Sequence, residues 1–318
     1  MHHLVADTLD DLLMKVFPKI LRNGQRVRAS KGWNRELSGI VLELRKPLAR
    51  LSRTETKGTV FSCLGETLWY LARSNELEFI KYYIQLYGKS AEVDGTVHGA
   101  YGPRLFGMRT GVNQVDNVIK LLRRKPSSRQ AVIQLFNAED ILEDYNDVPC
   151  TCTMQCFVRK GSLNLVVNMR SNDAFLGLPH DVFAFTFIQE LIARSLNLKL
   201  GTYKHMVGSL HIYETDKAKV RKFIKEGYQS RISMPRMPVG DPWPNLRKLS
   251  KVEAQIRLGN LVQIERYNVP NYWADLMRLL QVFALNKVRK STRVVRSKMA
   301  SSVYDSYIDK SARRNNPK

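Results

Sequence analysis

The chain is poor in cysteine: Cys63, Cys150, Cys152 and Cys156 are the four among 318 residues, three of them within one seven-residue stretch. No Cys-x-x-Cys pair is accompanied by a second such pair or by a histidine pair. That pattern argues against a structural zinc site, and no metal is expected. The few thiols read as those of a reducing, cytoplasmic compartment. No apolar run reaches the roughly 18 residues that would span a bilayer, so no membrane partner is expected. The opening Met1-His2-His3-Leu4-Val5-Ala6-Asp7 lacks a basic region followed by an apolar stretch, so no secretion signal is expected. Acidic residues are also scarce. There are 29 Asp and Glu against 51 Lys and Arg, a formal net charge of +22.

What is present is the composition of a folded protein, 44% apolar and 25% charged. The length suffices for one large domain or two small ones. Part of the positive charge is local: residues 287–318 carry ten Lys or Arg and two Asp. A basic surplus favours polyanions. We therefore read residues 1–286 as the main folded domain and 287–318 as a basic, mobile tail open to weak polyanion or nucleic-acid contact. No nucleic-acid recognition motif accompanies the tail.

Apolar spacing predicts a helix over residues 4–22, with Leu9, Leu12, Leu13, Val16, Phe17 and Ile20 on one face. Residues 23–37 are polar and read as loop, and 39–44 as strand. A long helical pattern over 60–87 breaks near Ser74-Asn75. Residues 95–107 read as Gly-rich loop and 112–124 as helix. Strands are expected at 131–136, 153–159, 163–169 and 203–213, with Lys160-Gly161-Ser162 as a hairpin connector. Residues 182–196 are apolar nearly all round, the mark of a buried helix. Prolines between 234 and 244 make extended structure, and helix follows. Helices and strands alternate without a βαβ rhythm, so the fold class is α+β.

Two stretches carry chemistry. In Asp147-Val148-Pro149-Cys150, a cysteine follows a proline at a strand edge, a setting for a nucleophilic thiolate. Cys152 and Cys156 lack that context and read as packing. The second stretch is Arg170-Ser171-Asn172-Asp173, leading to Gly177-Leu178-Pro179-His180-Asp181 and the buried helix. Guanidinium groups suit a phosphate. Asp181 directly before a helix also fits an N-cap. Glu66 lies among Leu64, Leu68 and Trp69. An apolar setting would raise its pKa and suit it to relay protons.

Together these stretches resemble the thymidylate synthase superfamily. Glu66-Thr67-Leu68-Trp69-Tyr70-Leu71 is similar to the helix with the family's catalytic glutamate, and Ala100-Tyr101-Gly102 to the loop near the pyrimidine. Ser128-Arg129-Gln130 resembles a phosphate-binding Ser-Arg-Arg segment that reaches across a dimer interface. Pro149-Cys150 resembles the nucleophile motif. Arg170-Ser171-x-Asp173 resembles the phosphate and folate segment, and His211-x-Tyr213 the pair that bonds the sugar 3′-hydroxyl. Arg28 matches the first phosphate arginine, with Arg26 as the competing choice. Three departures stand out: Thr151 replaces a histidine, Gln130 replaces the second arginine, and no short closing C-terminus is visible.

The resemblance implies a thymidylate synthase-like fold and a sheet-mediated homodimer. It makes Cys150, Glu66, Asp181 and Tyr101 catalytic. Arg28, Arg129, Arg170, Ser171, Asp181, His211 and Tyr213 would bind the nucleotide. Asp173 and Gly177 would contact the donor, 5,10-methylenetetrahydrofolate. Thymidylate synthases carry asparagine at the position of Asp181, and relatives acting on cytosine nucleotides carry aspartate. A carboxylate accepts from the cytosine N4 amino group, and a carboxylic acid donates to N3. The expected activity is therefore C5 hydroxymethylation of dCMP. CMP as substrate, thymidylate synthesis from dUMP, and a nonenzymatic basic nucleic-acid-binding relative are the other readings.

Overall fold

A computed structural model describes residues 2–29 and 31–315. A seven-stranded mixed sheet is packed with helices, the expected α+β class. Its strands are β1 (His2–Ala6), β2 (Gln25–Ala29), β3 (Gly32–Leu44), β4 (Val132–Gln134), β5 (Thr151–Arg159), β6 (Ser162–Asp173) and β7 (Lys199–Tyr213). The order is β1-β3-β7-β6-β5-β4, with β2 paired to β3. β1 with β3 and β6 with β7 are parallel, and the remaining pairs are antiparallel. Along β6 the alternation is clean: Leu163, Leu165, Val167 and Met169 are buried, while Asn164, Val166 and Asn168 are half-buried.

Helix α1 (Leu9–Asn23) starts where Thr8 accepts a hydrogen bond from the Asp11 backbone at 3.0 Å, and its apolar stripe is buried as its spacing predicts. The broken pattern after residue 60 resolves into α2 (Val60–Leu71) and α3 (Leu77–Tyr83). The stretch read as Gly-rich loop contains a short helix, α4 (Tyr101–Phe106). Then come α5 (Met108–Gly111) and α6 (Gln114–Arg124). Helix α7 (Gly177–Ser195) is largely apolar, buried along most of its length, and fills the core beneath β6 and β7. It begins five residues before the expected start, because Pro179 is tolerated within a first turn, where its missing N–H has no partner to lose. The loop expected over 23–37 is instead β2 and the start of β3. β2 is a mostly exposed edge strand whose polar residues face solvent.

After α8 (Lys217–Glu226) the chain is extended to residue 242, then helical in α9 (Trp243–Arg257), α10 (Asn271–Lys287), α11 (Arg293–Ser297) and α12 (Asp305–Asn315). The expectation of a mobile accessory tail after residue 286 is overturned. Tyr304, Tyr307 and Ile308 are buried in the main core. The Asp275 carboxylate accepts from the Ala300 and Ser301 backbones at 2.9 Å each. Lys310 donates to the Gly58 carbonyl at 3.3 Å, and Arg313 pairs with Glu55 at 2.9 Å. The described basic residues of this segment are exposed except Lys310, which is buried with the aromatic side chains. Removing residues 300–318 therefore exposes three large side chains' worth of cavity. We expect a loss of about 4 kcal/mol or more, a fall in melting temperature of roughly 10 °C. A truncated protein melting within two degrees of the full chain would restore the free-tail view.

Among the described residues, no helix is long and apolar enough to cross a membrane.

Candidate active site

Sheet register gathers most of the candidate residues at one end. The Arg170 backbone N–H donates to the Cys150 carbonyl at 2.8 Å, which sets Cys150 against β6 just before β5. In the parallel pair, Ser171 lies opposite Ser209 and Asp173 opposite His211. Tyr213 lies opposite Asn34 on β3, and Arg28 on β2 opposite Trp33, so both belong to the same end.

Cys150 is half-buried. Burial pushes its thiol up to about 11; Arg170 pulls against this, and Asp147 and Asp181 add to the rise. Arg170 is used locally. Its Nε and Nη2 donate to the carbonyls of Pro149 and Val148, both at 2.9 Å, fixing the loop that presents the sulfur. Thr151, where the family resemblance leads one to expect histidine, has a definite task. Its backbone N–H and hydroxyl both donate to the Tyr101 phenol oxygen, at 3.1 and 2.9 Å, and so anchor Tyr101 beside the cysteine. Cys152 occupies an irregularity in the β5–β6 register, and Cys156 is fully buried packing.

Glu66, on α2, is buried and densely bonded. His180 Nδ1 meets its Oε2 at 2.7 Å, and Tyr70 and Tyr87 donate to its Oε1. Sequence context led us to expect a raised pKa, and the structure reverses this. Burial does push the carboxyl up, but the His180 charge, its hydrogen bond and the two phenols outweigh it, so Glu66 lies below its ordinary value. For His180, burial pulls down, while Cys63 and Glu66 push it higher overall. In this buried pair the carboxyl is held low and the imidazole high, each by the other.

Asp181 is the opposite case. Burial, then the nearby Glu66 charge, raises it to about 8, although Asn172 and His180 favour its ionised form. It is not an N-cap. It lies inside α7, and the turn before that helix is capped by Asp173, which accepts from the Phe175 and Leu176 backbones at 2.8 and 2.9 Å. The Asp181 side chain instead accepts from Asn172 Nδ2 at 2.7 Å. Gly177 permits this approach: a Cβ there would sit 3.0 Å from Asn172 Nδ2 and 3.5 Å from Asp181 Oδ2. One carboxyl held low and one held high thus share a buried site, an arrangement suited to base and acid duties.

The other expected residues fall into place unevenly. Arg26 is engaged by Glu214 at 3.1 Å and stacks over Trp33 at 4.2 Å, which leaves Arg28 as the better candidate on β2. His211 and Tyr213 meet edge to face at 5.0 Å. Arg129 is not at this end of the sheet. Its carbonyl is bonded by Gln155, five residues along β5 from Cys150, or roughly 16 Å at strand spacing. Sequence reasoning missed His180, Tyr87, Asn172, His205 and Tyr203. His180 and Asn172 both lie inside the motif run itself, but His180 pairs with Glu66 on α2 and Asn172 is backed by His205 on β7.

A family model described as "Thymidylate synthase" matches residues 14–260. The thymidylate synthase of Bacillus phage phi3T is 33% identical over 151 residues, 46% of this chain and 54% of that protein. The thymidylate synthase of Bacillus licheniformis is 34% identical over 159 residues, 48% of this chain and 57% of that protein. The chain spans about half the length of the curated relatives it matches.

Proposed function

The chain belongs to the thymidylate synthase family, and we propose that it is a folate-dependent hydroxymethylase acting at C5 of a cytidine monophosphate, dCMP before CMP. The observation that carries this reading is the buried Asp181 carboxyl, which accepts from Asn172 Nδ2 at 2.7 Å and whose pKa burial and the nearby Glu66 raise to about 8. A neutral acid can donate to N3 of cytosine and accept from N4. Addition of a thiolate at C6 pushes charge toward N3, so an acid there stabilises the charge where it develops.

In this reading Cys150 adds to C6 and C5 becomes nucleophilic. When bound, the folate supplies a one-carbon unit at the oxidation level of formaldehyde. The residues that would hold it are Asp173 and Gly177. The exposed Leu176 beside them offers an apolar surface to a flat ring. Glu66, held ionised by His180, takes the C5 proton and then polarises water. C5 exchanges its hydrogen for CH2OH, with water supplying the hydroxyl. Arg28 and the remaining donors of Arg170 would hold the phosphate, and His211 and Tyr213 the sugar. The distance of Arg129 from Cys150 supports a homodimer in which Arg129 serves the partner's phosphate.

The names of the relatives favour a second reading, thymidylate synthesis from dUMP. The two differ in redox outcome. Hydroxymethylation releases tetrahydrofolate, whereas methylation oxidises it to dihydrofolate, which absorbs in the near ultraviolet. We expect dCMP with methylenetetrahydrofolate to give a product heavier by CH2O and no rise in absorbance. Stoichiometric dihydrofolate from dUMP would establish the second reading. No product with dCMP, CMP or dUMP would favour a nonenzymatic relative.

A further inference from the structure

Asp181 does not stand alone. Behind it runs a buried chain of side chains: Tyr203 OH lies 2.6 Å from His205 Nδ1, His205 Nε2 lies 3.1 Å from Asn172 Oδ1, and Asn172 Nδ2 lies 2.7 Å from Asp181 Oδ2. Tyr203 and His205 are wholly inaccessible and Asn172 nearly so. The mechanism above uses none of the three.

The chain has a direction. Burial pulls the His205 pKa down to about 3, so the ring is neutral and carries one proton. The Tyr203 hydroxyl keeps its proton, since burial raises its pKa far above ordinary values. A neutral imidazole donates from one nitrogen and accepts at the other. The Asn172 amide sets the direction: its Nδ2–H donates to Asp181 Oδ2, which leaves Oδ1 toward His205. An amide oxygen only accepts, so His205 Nε2 carries the ring proton and Nδ1 accepts from the Tyr203 hydroxyl.

That direction matters because a carboxylic acid on its own does not discriminate. It presents one donor and one acceptor, as an amide does. Turned one way, it matches N3 and N4 of cytosine. With the proton on the other oxygen, it matches N3–H and O4 of uracil. An oxygen already receiving an N–H is the poorer place for the acid proton, so an Asn172 bond at Oδ2 places it on Oδ1.

We propose that Asn172, oriented by His205 and Tyr203, is the positioning residue that makes position 181 selective between cytosine and uracil. The base assigned to each oxygen rests on the reading of Asp181 given above; the pinning itself does not. Other groups facing Asp181 are Glu66, Tyr70, His180, Asp173, Tyr101 and Cys150, and of these Glu66 and His180 form their own pair. None takes the place of the Asn172 amide at Oδ2.

The experiment measures kcat/KM for dCMP and dUMP, with methylenetetrahydrofolate, in the full-length protein and in Asn172→Leu, His205→Phe, His205→Gln and Tyr203→Phe. The wild-type ratio tests the base reading alone. For the pinning, we expect the ratio to relax toward one by tenfold or more in Asn172→Leu and His205→Phe. A few-fold change is expected in Tyr203→Phe, the mildest variant and the safeguard should the others fail to fold. His205→Gln, which can still donate to Asn172 Oδ1, should recover most of the selectivity. A second readout needs no substrate. The infrared carboxylic-acid band of Asp181, identified by its loss in Asp181→Asn, should persist to higher pH in Asn172→Leu, because the lost N–H favoured the ionised form. Folded variants that slow both substrates equally, or an unmoved carboxyl titration, would overturn the proposal. A wild type preferring dUMP whose ratio still relaxes would sink the cytosine reading and leave the pinning intact.

Discussion

Cys150→Ala removes turnover, by a factor on the order of 10^4 or more, the scale seen when a covalent nucleophile is lost. Folding should be spared, since the side chain is half-buried and its neighbours Arg170 and Tyr101 are held by backbone and Thr151 contacts rather than by the sulfur. Cys152→Ala and Cys156→Ala serve as controls. Cys156 is wholly buried, so its loss should cost about 1 kcal/mol of stability and little activity. A C5-fluorinated cytidine nucleotide, incubated with the folate, should leave an adduct on the peptide carrying Cys150, because fluorine cannot leave as a proton does. The resting thiol near pH 11 makes a further demand: slow alkylation of the free enzyme at neutral pH. Label on another cysteine, or turnover in Cys150→Ala, would end the covalent mechanism.

Asp181→Asn should lower kcat/KM for the cytidine nucleotide by roughly a hundredfold or more, mostly through kcat. The amide keeps one donor and one acceptor, so binding is less affected. It has no proton to release toward N3, and a general acid is worth about 10^2 to 10^4 in rate. The pH profile separates this from loss of shape. The group is active as the acid and its pKa lies near 8. Wild-type activity should therefore hold through neutral pH and fall as pH rises through about 8. In Asp181→Asn that falling limb should vanish. Melting temperature should barely move, since the residue caps nothing and one neutral group replaces another. A variant with full activity on the cytidine nucleotide and an unchanged pH profile would remove the main support for the substrate class.

The parts of this molecule legible in sequence are those with local causes. The β5–β6 hairpin, the largely apolar α7 and the stripe of α1 follow from period and turn chemistry. The motif residues Cys150, Glu66, Tyr101 and Asp181 do converge. What was misread had remote causes. β2 is too polar and exposed to show a strand pattern, and pairing with β3 makes it one. Asp181 resembled a cap because Pro179 disguised the first turn of α7. The charge on Glu66 could not be read from its own helix, since His180 arrives from a residue 114 positions away. The basic residues after 286 hid Tyr304, Tyr307 and Ile308, whose spacing gives a buried helical face.

The docking of the C-terminal helices has a consequence for how the protein is made. Arg53 donates through its backbone to Asp10 and through its guanidinium to the Val303 carbonyl, while Tyr307 lies close enough to Asp10 to feel its charge. The first helix, the segment after the first strands and the last helix thus meet in one patch. Contacts spanning nearly the whole chain are slow to form, because long loops must close before they are rewarded. During synthesis, α1 emerges long before α12 and must wait for it before its surroundings are complete. Until then part of the core is open to solvent and to other nascent chains, a state prone to association. Expression yield should thus be more sensitive to interruptions in the codons for residues 303–308 than the distance of those residues from the catalytic motifs would suggest.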